Sequence, residues 1–564
     1  MSAPLLKLDL SHGHTGLYVL SAALALLSHL AVQLREPRAP PFVHLFLFAA
    51  AAAVYALHTQ YALPLGTAAA VVARMAGVWV ATIFASMAIY RTFFHRLRRF
   101  PGPRRFALSK FVSIPMDLAG QRPYRVTRWH EQYGSVIRIG PRELSVADPA
   151  ALPAIYGATG ASARCTRGPW YAFTVESTRT SSYNLQSTPT MTDHAARRKV
   201  WDAAFSLKAL KGYEENVISN VELVIEQVGA YGAKGPVDVG QWMSWFGFDV
   251  MGEVGFGRGF DMVKSATTAK PIVLLEQGVK LIMASGNVAW LMAMFKYLPN
   301  PIVLFEAWIR ETLEQRVREG KTGVVEHDVF SWLLGEAKNQ GATQTMPELN
   351  ADAGLLIVAG SDTSSNTMAI TIYELLRNSG AYARLQAEVD EEFGIENATD
   401  FTRLGKLPYL NAVINETLRL WPPVASGLQR NTPPEGLLLP DGTHIPGNTV
   451  VSTATYTMHR DARNFTDPHA FKPDRWLSKP AAGEVFNQRA FSAFGYGPTG
   501  CIGKNLAFME MRAMIARFAQ SFDAQLAPGF SPERFEASIK DCFVLVKDPI
   551  NITVTPRRNA PKPQ

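Results

Sequence analysis

Three long apolar stretches open the chain, and beyond Tyr90 the apolar positions settle into shorter, periodic patterns. The stretches run Gly16–Leu34, Phe42–Leu63 and Gly66–Tyr90. A helix needs about 20 mostly apolar residues to cross a bilayer, and each stretch supplies roughly that. The pattern predicts a membrane anchor over 1–92 with three transmembrane helices, at 16–34, 42–63 and 71–90. Arg74 is the costly residue of the third; with a start near Met75 it would lie at the edge, where the guanidinium can snorkel instead of sitting in hydrocarbon. A cleaved signal peptide followed by buried helices is the other reading. The lack of a basic run before the first stretch, and the two stretches behind it, count against that.

From Met116 onward, apolar residues recur at three- and four-residue spacing in "TDHAARRKVWDAAFSLKALKGYEENV", "ELNADAGLLIVAGSDTSSNTMAITIYELLRNSG" and "YLNAVINETLRLW". Such spacing predicts amphipathic helices. Strand-like pieces, "GSVIRIG", "ELSVAD", "THIPGNTVVSTAT" and "FVLVKD", are shorter and flank the helical middle. The expected body is therefore one mainly α domain over 116–556 with small β-sheets at its edge. Pro101, Pro103 and Pro115 predict a basic, proline-containing hinge over 93–115. The tail 557–564 reads as disordered.

Composition sharpens this picture in two places. The three cysteines, Cys165, Cys501 and Cys542, are widely spaced in 564 residues, which argues against a disulfide framework or a CxxC zinc site. A reduced compartment fits. The net charge of +8 is modest, but six arginines and no acid fall between Arg91 and Arg105, directly behind the third apolar stretch. That position favours a membrane surface over a nucleic-acid patch. Arg35 and Arg38 occupy the first loop and the second loop is uncharged, so the positive-inside rule puts the body in the cytosol and the N-terminus on the far side.

Candidate chemistry centres on "FSAFGYGPTGCIGKNLAF", where Cys501 sits among glycines and just before a helical pattern. A thiolate there could ligate iron, with nearby amides and a helix start tuning its electron donation. A glycine-rich turn holding a structural cysteine is the bland alternative. In "ETLR", Glu416 and Arg419 share one helical face, as a solvated surface pair also would. In "AGSDTS", Asp362 and Thr363 could disturb an apolar helix and hold water, or simply face outward. In "DHAARRKVW", His194 and Arg198 lie on one face. Arg197 and Lys199 point elsewhere, to a docking surface or to solvent.

Taken together, "FGYGPTGCIGKNLA", "ETLR", "FKPDRW" and "AGSDTS" resemble, in order and spacing, the motifs of the cytochrome P450 family. The resemblance extends over nearly the whole body and implies the cytochrome P450 fold. It implies a haem b cofactor with Cys501 as axial ligand of its iron, and with Phe494, Gly497 and Gly503 shaping the loop around it. His194, Arg198 and Arg430 match positions that bind the haem propionates. Glu416, Arg419 and Arg475 match a structural cluster beneath the haem, and Asp362 and Thr363 match the proton-delivery pair. Thr499 departs from the pattern, since the family usually has arginine or histidine there.

The flanking segments look most like fungal microsomal members acting on secondary metabolites. The implied activity is a monooxygenase drawing electrons from NADPH–cytochrome P450 reductase, with cytochrome b5 as a further donor, in the endoplasmic reticulum membrane. A hydrophobic alkaloid, terpenoid or polyketide intermediate is the implied substrate. Two alternatives stay open: a haem–thiolate enzyme that rearranges, dehydrates or couples its substrate, and a membrane haem protein without turnover.

Overall fold

The computed structural model describes residues 15–34, 39–176, 182–288, 301–320, 327–338 and 342–557. The expected tail, 557–564, falls outside these residues apart from Arg557. Helices α1 (Thr15–Leu34), α2 (Ala39–Gln60) and α3 (Leu65–Ile89) are each long and apolar enough to cross a membrane. Ser21 on α1 donates to the Met75 carbonyl at 2.7 Å, and His29 bonds Ser86 at 2.6 Å. Both positions advance together along the two chains, so α1 and α3 run parallel, as two spans separated by a third must. The third helix starts at Leu65 and continues through Arg74, whose side chain is exposed.

A π-helical turn, Tyr90–Phe94, carries α3 into the basic segment. That segment is seated on the body. Arg96 donates to the Asn448 carbonyl at 2.9 Å, and Arg99 to the His444 carbonyl. Leu97 and Phe100 are buried with Leu144, Val146 and Ile155 in one of the apolar clusters.

The helices that build the interior of the body are α4 (Met191–Ala204), α5 (Leu207–Gly232), α6 (Val239–Phe256), α7 (Met346–Arg377), α8 (Pro408–Leu420) and α9 (Lys504–Ser521). Their starts carry side-chain caps where the sequence offers them. Thr190 accepts from the Asp193 amide, Ser206 from Ala209 and Asp238 from Gly240. Thr345 and Glu348 form a reciprocal capping box at α7, so two otherwise unpaired amides are satisfied. Helices α6 and α7 touch closely at Gly247, where any Cβ would come within 2.8 Å of the Ser361 carbonyl. Only glycine lets α6 back so tightly onto the "AGSDTS" turn. Trp201, Phe246, Met368, Leu410 and Met514 belong to the large core these helices share.

A five-stranded sheet lies at the edge, built from β1 (Val136–Gly140), β2 (Glu143–Val146), β3 (Thr166–Arg167), β4 (Arg430–Asn431) and β5 (Val450–Thr453). Its order is β1-β2-β5-β4-β3, parallel only between β2 and β5. The register sets Arg167 directly opposite Arg430. Near the C-terminus, β6 (Lys540–Cys542) and β7 (Val544–Val546) form a hairpin turning at Phe543.

Candidate functional site

Glu416 on α8 is fully buried and accepts hydrogen bonds from five directions. Arg419 supplies two, at 2.9 and 2.8 Å, and Arg475 one at 3.1 Å. The Trp476 indole and the Lys472 amide add one each, at 2.9 Å. Arg419 also donates to the carbonyls of His459, Pro468 and Ala470. The surface-pair reading of "ETLR" is thereby excluded, because both side chains are wholly enclosed. Their work is to tie the segment from His459 to Trp476 to one helix.

His459 links this cluster to the cysteine loop, a role the sequence does not announce. Its Nδ1 pairs with the Arg419 carbonyl at 3.1 Å, and its Nε2 accepts from the Ser492 amide at 2.9 Å. Its ring stacks on Phe491 at 5.4 Å. Burial, reinforced by Arg419, pushes its pKa down to about 3. The ring is neutral, as an accepting Nε2 requires.

The cysteine loop follows. The Cys501 amide donates to the Phe494 carbonyl at 2.8 Å, closing the turn. Gly497 has φ 67°, and a Cβ there would strike the Tyr156 carbonyl at 2.2 Å, so Tyr156 is what requires this glycine. Gly503 caps the N-terminus of α9, and its missing Cβ would lie 3.9 Å from the Cys501 sulfur. Cys501 presents much of its surface to open space although protein surrounds it. Burial raises its pKa, opposed by the amides of Gly503 and Lys504 and by Arg198. From this loop α9 runs back to α7, where Glu510 pairs with Ser364, the neighbour of Thr363.

Beside the loop stands a group of basic side chains. Arg430 donates to the Thr499 hydroxyl at 2.5 Å and to the Gln429 carbonyl at 3.1 Å. Arg198 donates to the Gly500 carbonyl at 2.8 Å and pairs with Asp202 at 2.7 Å. His194 is buried, and burial together with Arg167, Arg198 and Arg430 pushes its pKa down to about 4. Arg167 was not singled out from the sequence; strand register alone brings it opposite Arg430. Like charges facing each other across a sheet are unfavourable. Neither arginine has an ion-pair partner among the described residues, and the buried Arg167 Nε has no acceptor.

The chemistry of this donor set fits a haem. An accessible thiol stands beside a cationic wall with unspent donors, which is what iron and two propionates demand.

On α7, the helix stays unbroken through the turn where a disturbance was expected. The Thr363 hydroxyl donates to the Ala359 carbonyl at 2.8 Å, inside the ordinary helical ladder. Asp362 has its pKa raised to about 7 by burial and by Glu276, with Lys547 opposing. Lys547, just past β7, reaches Asn366 at 2.7 Å, and burial pulls its pKa to about 8. Arg197 is neither a docking residue nor a solvated one. It bonds Asp352 on α7 at 3.1 Å and the Tyr183 carbonyl, because α4 turns that face inward. Lys199 is exposed.

Comparison with known proteins agrees with this arrangement. The family model of cytochrome P450 matches residues 101–554. The chain is 35% identical over 481 residues to cytochrome P450 monooxygenase FCK2 of Fusarium pseudograminearum, covering 84% of this chain and 85% of the other. It is 31% identical to tryprostatin B 6-hydroxylase of Aspergillus fumigatus, covering 86% and 85%. The solved cytochrome P450DA heme domain shares the fold at a TM-score of 0.63 and 17% identity, covering 78% of this chain and 93% of that one. The chain belongs to the cytochrome P450 family. It is an oxidoreductase with fungal monooxygenases of secondary metabolism among its relatives.

Proposed function

We propose that this protein is a membrane-bound haem–thiolate monooxygenase that hydroxylates or otherwise oxidises a hydrophobic fungal secondary-metabolite intermediate. The observation that carries the reading is Cys501, its amide fixed to Phe494 and its sulfur accessible, beside the cationic Arg167, Arg430 and Arg198 and the neutral ring of His194. In this reading Cys501 ligates the iron of haem b, and the basic group holds the propionates. Bound there, the haem supplies dioxygen activation, favoured by thiolate electron donation.

The remaining work falls to this chain's own side chains. Asp362, with a pKa near neutrality, is suited to take a proton from the Lys547 side and pass it on. Thr363 donates its hydroxyl hydrogen to the Ala359 carbonyl, so its lone pairs remain free to accept a hydrogen bond and orient a donor beside Asp362. Glu416, Arg419 and Arg475 keep the loop scaffold rigid and take no part in chemistry. Residues 1–92 form the anchor, 93–115 the connection, 116–556 the catalytic domain and 557–564 the tail. Electrons arrive from NADPH–cytochrome P450 reductase, with cytochrome b5 as a further donor. The loop charges support a cytosolic body, and sharing a membrane with that reductase supports the endoplasmic reticulum.

The test is expression in a host that supplies reductase, with metabolite profiling under labelled dioxygen. One labelled oxygen atom in the product supports the reading. An unlabelled product would indicate rearrangement, dehydration or coupling, and NADPH left unconsumed would indicate a haem protein without turnover.

A further inference from the structure

A cavity whose lining does not include Cys501 lies between the start of the body and the β6–β7 hairpin. It measures about 70 Å³ and is lined in part by Asp117, Arg122, Trp170, Ser426, Asp541 and Phe543. Water needs roughly 10–15 Å³ of such space, so there is room for a small head group and not for a whole drug-sized molecule.

Its charges do not cancel. Asp117 is spent on Arg122, with bonds at 2.8 and 3.0 Å. Glu143, also on the wall, is paired with Lys110. Asp541 makes no ion pair of its own among the described residues, and Arg122 acts on it only at longer range. Asp541 is buried and accepts from the Ser426 hydroxyl and, at 3.0 Å, from the Phe543 amide. A carboxylate has about four acceptor positions, so two remain. Burial raises its pKa, and the Ser426 hydroxyl, the Arg122 guanidinium and the Phe543 amide only partly oppose it.

The wall beside it is aromatic and under strain. Phe543 sits at φ 76°, a left-handed conformation that a bulky residue adopts only when its surroundings enforce it. The Asp541 carboxylate holds its amide, and its ring stacks on Trp170 at 4.1 Å and 13°. The hairpin therefore spends conformational energy to place an aromatic face next to an unpaired acid. Strain of this kind gathers at ligand clamps.

We propose that this cavity receives the protonated amine end of an aromatic substrate, with Asp541 as its counter-charge and the Trp170–Phe543 stack as its wall. The inference rests on the monooxygenase reading, for which it names the substrate class. Cation and ring are complementary to the two features present, and an anionic analogue would face Asp541 directly.

The experiment uses full-length protein in detergent, reduced and saturated with carbon monoxide so that an amine cannot ligate the iron. Calorimetry compares tryptamine with indole-3-propionate. Wild type should bind tryptamine at least about tenfold more tightly, and Asp541→Asn should bring the two within about twofold. Equal binding by wild type, or discrimination that survives in Asp541→Asn, would overturn the proposal. If that variant does not fold, Phe543→Leu must weaken both probes while keeping their ratio, and unchanged affinities would remove the aromatic wall. The carbon monoxide spectrum of the same sample reports the haem–thiolate reading separately. A thiolate-type band without discrimination sinks the cavity proposal alone, and discrimination without the band sinks the haem reading alone.

Discussion

Thr499 Oγ1 accepts a hydrogen bond from Arg430 Nη2 at 2.5 Å, so the residue that departs from the family pattern positions the arginine beside it. Removing that acceptor leaves a buried guanidinium donor unpaired, at a cost of about 1–3 kcal/mol. Thr499→Val should lower the melting temperature of the apoprotein and speed haem loss to apomyoglobin. Thr499→Arg should also destabilise the apoprotein, by adding charge next to Arg167 and Arg430, yet slow haem loss. Identical loss rates in all three proteins would show that His194, Arg198 and Arg430 already suffice.

Cys501→Ala should keep its fold, because the loop is closed by the residue's amide and not by its sulfur. The thiolate-type band of the reduced carbon monoxide spectrum should vanish. A band that persists would mean that another side chain is the ligand.

Glu416→Gln removes a buried charge that two arginines share. Breaking such a pair by altering one partner typically costs about 3–5 kcal/mol. Chemical denaturation should show a loss of that size, with little folded protein in cells. A change within a few tenths of a kcal/mol would contradict the geometry around Arg419 and Arg475.

Acid sensitivity should report His459. Its folded-state pKa of about 3 lies below the usual 6.5, so between these values the unfolded chain binds the extra proton. Stability contributed by the neutral ring is therefore complete above about pH 6.5 and falls as pH drops toward 3, by about 1.4 kcal/mol per pH unit. His194 adds to the slope down to about pH 4. Glutamine can both donate and accept without titrating, so His459→Gln should remove one proton's worth of slope between pH 6 and 4. Parallel curves would rule this out.

Turnover should depend on Asp362 in a way that Lys547 tunes. With its pKa near 7, the acid form is lost as pH rises above neutrality, and product formed per NADPH consumed should fall in step. Asp362→Asn should be poorly coupled and flat with pH. Lys547→Met removes the charge that lowers the Asp362 pKa, so the midpoint should move upward. A downward or absent shift would exclude the lysine from this relay.

What could be read from the chain was set by local spacing. Cys501, the Glu416–Arg419 pair and Asp362–Thr363 each lie within one loop or one helical turn, so their neighbours in sequence are their neighbours in space. Arg167 and Lys547 were hidden for the opposite reason. One depends on strand register across the sheet, the other on the reach of a C-terminal hairpin toward α7. His459 opens the stretch "HRDARNFTDPHAFKPDRW", yet nothing in its spacing marks a residue that joins two motifs. Arg197 was misplaced because a helical wheel shows which residues share a face, and not which of two polar faces meets Asp352. The smooth course of α7 reflects a hydroxyl that bonds back along its own helix instead of breaking it.

The seating of the basic segment has a practical consequence for anyone who wants a soluble enzyme. Cutting at Pro101 would discard Leu97 and Phe100 from the apolar cluster they help to fill, along with the Arg96 and Arg99 bonds. The exposed cluster would invite aggregation that has nothing to do with the missing spans. A cut near Tyr90 keeps these contacts, so the stable boundary of the body lies before residue 101, where the family model begins.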